Sequence, residues 1–303
     1  MDNKAKAPAH LYYNIYPAID TQPKAAILLL HGMQEHSGRY AEFIQQLTQQ
    51  GYAVLAYDHV GHGYTAKTEA EMGFFRKEKP DALLVAEATQ MAYFLQAQFP
   101  DTAHILMGHS MGSFIARLVL KENSKLFDGA IIMGTGAANP AAIGFRPILY
   151  LANLFAAKKR SRWLNKLFTQ INNSKFQDEQ PNDGTNWLSA NLANRKAFQA
   201  DKLCGVDFSN NAFYGLISLN VKATRSNWAA EIAAAFPMLF VSGKEDPIGD
   251  FGKGIQKTVS ALKNKGFTHI DMQLFPDMRH EILNELDKHL VYNKITTWLE
   301  KTI

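Results

Sequence analysis

The sequence holds a single cysteine, Cys204. No disulfide can form within the chain, and a reducing compartment, the cytoplasm, is the expected location. It has no run of about 18 consecutive apolar residues, so no segment reads as a membrane span. Residues 1–8 lack the apolar stretch of a leader peptide. Charge of one sign is also scarce. Lys and Arg number 32 against 28 Asp and Glu, a net +4 spread along the chain, which argues against nucleic acid as a partner. There is no internal repeat and no low-complexity tract. The 303 residues, 47% of them hydrophobic, suit one large α/β domain with an insertion, or two small domains.

What is present is an alternation of strands and helices. Residues 25–30, 52–57, 128–133 and 237–242 are short, nearly continuous apolar runs. That is how strands buried on both faces read, and it argues for a parallel sheet. Residues 10–19, rich in aromatics, read as an opening edge strand, and 270–275 as a last strand. Helices with apolar spacing near 3.6 are expected over 40–50, 81–98, 252–264 and the C-terminus. The rhythm breaks at Asn139-Pro140. For about 90 residues only helices are expected, over 143–162, 163–172, 187–202 and 209–222.

The stretch around which this is organised is 103–117. A short apolar run ends in Gly108-His109-Ser110-Met111-Gly112 and continues as a helix with Phe114, Ile115, Leu118 and Val119 at helical spacing. Strand, tight turn and helix with serine at the apex is a nucleophile elbow, G-x-S-x-G. The glycines let strand and helix pass close to a turn that holds the Ser110 hydroxyl clear of the sheet. The pattern alone arises by chance in roughly one chain in ten of this length, so the flanking strand and helix matter.

A serine hydroxyl needs a base, and the base needs an orienting acid. In open α/β sheets functional groups sit outside the carboxyl ends of strands. Asp246 follows the strand at 237–242, and His280 follows the strand at 270–275. The order Ser, Asp, His is that of α/β-hydrolases. Asp250 is an alternative acid further from its strand. Asp277 would have to turn back onto His280, His269 lies at the wrong end of the sheet, and His289 lies within the last helix. Backbone N–H groups of Met33, in the loop after 25–30, and Met111, opening the elbow helix, are the expected oxyanion donors, with His31 bracing the loop. His31, His36, His59 and His62 suggest a metal, but no cysteine or carboxylate completes a set with ligand spacing, so no metal is expected.

Three ordered motifs, at 31–40 (HGMQEHSGRY), 58–63 (DHVGHG) and 108–112 (GHSMG), together with Asp246 and Arg279-His280-Glu281, resemble the monoacylglycerol lipase and lysophospholipase group of α/β-hydrolases. The resemblance covers 10–138 and 237–302. It implies a mostly parallel eight-stranded sheet flanked by helices. A helical cap at 139–228 would follow the sixth strand, with 1–138 and 229–303 as the core. It implies hydrolysis of esters carrying one acyl chain, with no cofactor, using Ser110 as nucleophile, Asp246 as acid and His280 as base, and Met33 and Met111 at the oxyanion. Gln34 departs from the small residue common there. It would narrow the acyl pocket or bind the head group, and His109 beside the nucleophile is assigned to substrate contact with it.

The cap helix at 143–162 would supply an acyl wall from Phe145 and Leu149 among its apolar residues. Its basic end, Lys158-Lys159-Arg160-Ser161-Arg162, would face anionic lipid, or would be an ordinary solvated helix end. The expected function is a serine hydrolase of single-chain lipid esters, with a lipid ester as its small-molecule partner and a peripheral membrane contact through the cap. Alternatives are a short-chain esterase, an aminopeptidase-type hydrolase, a perhydrolase or C–C hydrolase, and a non-catalytic binding module. Serine at 110 excludes the carboxylate nucleophile of haloalkane and epoxide hydrolases. The oligomeric state is not legible in the sequence.

Overall fold

A computed structural model describes residues 6–19 and 22–303. The leader reading of residues 1–8 therefore rests mostly on residues outside the described ones. In chain order the elements are β1 (Tyr13–Tyr16), β2 (Ala25–Leu30), α1 (Ala41–Gln49), β3 (Tyr52–Tyr57), α2 (Pro80–Gln98), β4 (Ala103–His109), α3 (Met111–Asn123) and β5 (Gly129–Met133). Four helices follow: α4 (Pro140–Ala156), α5 (Arg162–Asn173), α6 (Leu192–Ala200) and α7 (Asn210–Ala223). The chain then returns to β6 (Met238–Gly243), α8 (Lys253–Asn264), β7 (Ile270–Phe275) and α9 (Lys288–Thr302).

The strands form one sheet in the order β1-β3-β2-β4-β5-β6-β7, parallel except for β1, which runs antiparallel to β3. The strand runs are apolar throughout because both faces are covered. In β2, Ala26, Leu28 and Leu30 join the core on the α2, α3 and α8 side, while Ala25, Ile27 and Leu29 join the core under α1 and α9. All six β2 side chains are buried. Fully burying one such leucine stabilises by about 1.5–3 kcal/mol, so these central strands anchor the loops that follow them.

The seven strands among the described residues are those legible in the residues themselves. The eighth strand implied by the resemblance is not among them, and the helical insertion follows the fifth strand. Two of the insertion's helices, α4 and α6, are also shorter than periodicity suggests. Ser161 caps α5, which stops the helix expected through 162 at Ala156. The helix expected from 187 begins only at Leu192, because Glu285 takes the N–H groups of Ala190 and Asn191, and Asn191 caps α6.

The elbow follows from steric limits. Ser110 joins β4 to α3 with φ 53 and ψ −118, a conformation that costs a non-glycine residue about 1–3 kcal/mol. Its N–H bonds to the Met133 carbonyl at 3.0 Å, and its carbonyl accepts from Ser113 N–H at 2.9 Å. A Cβ on Gly108 would lie 2.4 Å from the Gly112 carbonyl oxygen, and one on Gly112 would lie 2.2 Å from that of Leu30. The helix packs against the neighbouring strand end only because both positions lack side chains.

Candidate active site

Three loops at the carboxyl ends of β4, β6 and β7 carry Ser110, Asp246 and His280. Asp246 is fully buried, and both its carboxylate oxygens lie 3.0 Å from His280 Nδ1. The carboxylate also accepts from Ile248 N–H at 2.9 Å and from the Ser242 hydroxyl at 3.0 Å. Burial alone would raise its pKa. The charge and hydrogen bond of His280, helped by Ile248 and Ser242, outweigh burial and hold the carboxyl below its usual range. A carboxylate can only accept, so His280 Nδ1 carries the proton of the neutral ring, the tautomer that leaves a lone pair on Nε2. Ser110 and His280 line the same cavity, of about 20 Å³.

The loop after β2 forms another wall, through Gly32, Met33, Gln34 and Glu35. Glu35 accepts the Gly32 N–H at 2.6 Å, so that donor is already committed. Met33 is the next N–H along the loop. Met111 is the first residue of α3, where the leading N–H groups have no partner within the helix. His31 donates through Nδ1 to the Gly32 carbonyl at 2.7 Å and accepts His59 N–H on Nε2 at 3.0 Å, tying this loop to the end of β3.

Gln34 lines the cavity, but its side-chain amide donates to the Val206 carbonyl at 3.0 Å and to Asn165 at 3.3 Å. It connects the loop to the insertion and is not a free head-group donor. His109 also lines the cavity, with both ring nitrogens engaged. Nδ1 lies 3.2 Å from Glu35 Oε1 and 3.0 Å from the Tyr40 hydroxyl, and Nε2 lies 3.1 Å from the His280 carbonyl oxygen.

The acyl wall expected from α4 is not where the structure puts it. Leu149 is buried in the main core and Phe145 packs against the same core, with α4 lying on α7. Neither residue lines the cavity at Ser110. Helical periodicity turns 145 and 149 towards α7 and leaves Ile148, Leu151 and Phe155 exposed. The apolar wall is Trp187, Leu188 and Phe198, from the turn before α6 and from α6 itself. Trp187 lies over His280 with ring centroids 5.2 Å apart. These three residues stand in a segment that sequence periodicity assigns to a single helix, so their inward direction carried no local signal.

His36, His59 and His62 are structural. Burial pushes the pKa of His59 well below the ordinary value and that of His62 down to about 3, so both stay neutral. The fold does bring Asp201 and Cys204 beside His36, a carboxylate and a thiol that sequence spacing did not connect with it. However, His36 Nδ1 accepts the Gly38 N–H. Its Nε2 therefore carries the ring proton and donates it to Asp201 at 2.9 Å. This is a donor–acceptor link between loop and insertion, with no lone pair presented for a metal.

Comparison with known proteins identifies the family. The family described as serine aminopeptidase, S33, matches residues 21–287. The chain belongs to that family of α/β-hydrolases. The hydrolase is 26% identical over 281 residues to the monoglyceride lipase homolog of Monkeypox virus, which covers 92% of this chain and 90% of the viral protein. It is 26% identical over 285 residues to the monoglyceride lipase of Mus musculus, covering 93% and 84% of the two chains. A thermostable carboxyl esterase from Bacillus coagulans, solved with glycerol, superposes with a TM-score of 0.87 at 25% identity, covering 96% of this hydrolase and 94% of the esterase.

Proposed function

We propose that this hydrolase cleaves carboxylic esters of single-acyl-chain lipids, of the monoacylglycerol or lysophospholipid type, through an acyl-enzyme on Ser110. The observation that carries this reading is the Ser110–His280–Asp246 set at the carboxyl ends of β4, β6 and β7, closed over by apolar side chains. Its nearest support by name is the monoglyceride lipase relatives. His280 Nε2 takes the Ser110 proton as Oγ attacks the ester carbonyl. The resulting oxyanion is held by Met33 and Met111 N–H. Collapse expels the alcohol, which leaves with the proton from His280. Water then attacks the acyl-enzyme, giving its proton to His280, and the free acid departs as Ser110 is re-protonated.

A cavity of about 20 Å³ holds roughly one water molecule and no acyl chain. Residues 139–228 are accordingly read as a cap over a core of 1–138 and 229–303, and the segment carrying Trp187, Leu188 and Phe198 moves to admit substrate. The cleft carboxylates argue against an aminopeptidase. Glu281 is taken by Arg39 at 2.5 Å and by Asn194 at 2.6 Å, and Glu35 by its own partners, so neither is free for a substrate ammonium. The deciding measurement is a panel of monoacylglycerols, lysophosphatidylcholine, p-nitrophenyl butyrate and aminoacyl p-nitroanilides. Hydrolysis fastest on the single-chain lipid esters is expected, and faster turnover of the anilides would overturn the reading.

The cap also offers a lipid-facing surface. Phe155 on α4 is 83% exposed and Trp163 on α5 is 62% exposed, near exposed Lys158, Lys159 and Arg162. Arg160 does not belong to this patch, because its guanidinium donates to the Met72 carbonyl at 2.8 Å. No helix among the described residues is long and apolar enough to cross a membrane. A surface of this composition fits contact with an anionic bilayer. The hydrolase should float with phosphatidylglycerol vesicles, and a Phe155→Ser/Trp163→Ser/Lys159→Gln variant should not. Equal flotation of the two would exclude this surface.

A further inference from the structure

His109 presents a proton-counting problem. Its Nε2 faces a peptide carbonyl, that of His280, at 3.1 Å. Its Nδ1 faces the Glu35 carboxylate at 3.2 Å. Both neighbours are acceptors only, and a neutral imidazole has one N–H. The remaining neighbour of Nδ1, the Tyr40 hydroxyl, has a single proton, and it lies 2.8 Å from Glu35 Oε1. Burial and the Glu35 charge keep that phenol un-ionised, so it stays a donor to the carboxylate.

We propose that His109 is an imidazolium paired with Glu35, and that this buried pair is the positioning element that locks the oxyanion loop, the elbow and the base loop together. Glu35 holds the Gly32 N–H, one residue before the oxyanion donor Met33. His109 belongs to the elbow itself. Its Nε2–H fixes the backbone of His280, whose ring lies 4.7 Å from its own. One ion pair thus joins the ends of β2, β4 and β7, which the sheet alone leaves as independent loops.

The charges around the pair support this state. The groups facing His109 are Glu35 and Tyr40 from the segment between β2 and α1, and His280 and Glu281 from the loop after β7. Arg39 lies 3.7 Å from Glu35 and 2.5 Å from Glu281. Two cations, Arg39 and His109, meet two anions, Glu35 and Glu281, so the buried cluster is electroneutral. The pKa directions agree. Burial would lower that of His109, but the hydrogen bond and charge of Glu35 outweigh it and raise it. Burial would raise that of Glu35, but His109 and Arg39 hold it far below the usual carboxylate range.

The His109 pKa is raised on folding, so its contribution is complete below the ordinary histidine value and is lost as pH rises through the folded-state value. Glu35→Gln is close in shape. With His109 neutral, the variant cluster stays uncharged overall, so the protein is expected to fold.

The inference rests on Ser110 and His280 being the catalytic pair, and the test separates the two. With 15N-histidine, both His109 ring nitrogens should show imidazolium signals at pH 7, assigned by their loss in His109→Asn. In Glu35→Gln the ring should be neutral. There kcat should fall about tenfold to a hundredfold with KM within about twofold, as for a small misplacement of reacting groups. Wild-type kcat should also decline at alkaline pH along a limb that Glu35→Gln lacks. A neutral wild-type His109 at pH 7, or an unchanged kcat in Glu35→Gln, would overturn the proposal. Failure of a fluorophosphonate to label Ser110 would instead remove the catalytic reading and leave the nitrogen signals to decide the ion pair.

Discussion

Replacing Ser110 with alanine is expected to lower ester turnover by about 10⁴–10⁶, because members of a triad act as a unit and little remains once the nucleophile is gone. The fold should survive. Ser110 occupies φ 53, and its backbone bonds to Met133 and Ser113 do not involve the hydroxyl. Alanine lacks the hydroxyl but has the same Cβ, so the elbow strain is unchanged. The measurement is p-nitrophenyl butyrate hydrolysis alongside far-UV circular dichroism and fluorophosphonate labelling. A folded Ser110→Ala protein with wild-type turnover would show that the reaction uses another nucleophile, and an unlabelled wild type would point to a binding module.

The second large effect is expected at Asp246. Asp246→Asn retains the volume but replaces one acceptor oxygen with an NH₂ donor. His280 Nδ1 faces both positions at 3.0 Å. An amide nitrogen there favours the tautomer with a lone pair on Nδ1 and the proton on Nε2, which cannot take the Ser110 proton. The expected loss in kcat is about 10⁴, that of a triad whose base is held in the wrong tautomer. KM should change little, since Asp246 is fully buried and does not line the cavity. The neighbouring acid, Asp250, gives a control. Asp250→Asn should retain near wild-type activity on the same ester. The reverse ranking of the two variants would reassign the acid.

Much of this site was legible in the residues. The elbow is a local object, since its glycines, serine and flanking periodicities lie within fifteen residues and their steric demands are the same in any sheet. Asp246 and His280 could be found because strand ends are readable from apolar runs, and a parallel sheet gathers its carboxyl ends on one side. The strand count was likewise correct where it came from the residues, and departed only where it came from the resemblance.

The insertion was less legible. Periodicity located α4 to α7 but could not say which face of α4 turns inward, since apolar residues run nearly all around it. The structure buries Leu149 against α7 and leaves Phe155 in the open. The cavity wall falls instead to Trp187 and Leu188. They are fixed by the Glu281 N–H to Leu188 carbonyl bond at 2.8 Å and by the grip of Glu285 on Ala190, partners about 90 residues away in sequence.

The chain by itself therefore determined the sheet, the elbow and the residues proposed as nucleophile, acid and base, because each depends on short-range patterning and on one topological rule. Only the tertiary structure decided what closes the cleft, which histidine is neutral and which is charged, and which donors are already spent. Those properties depend on burial and on the count of protons among groups such as Glu35, Tyr40, His109 and the His280 carbonyl, and no spacing in the sequence brings those four together.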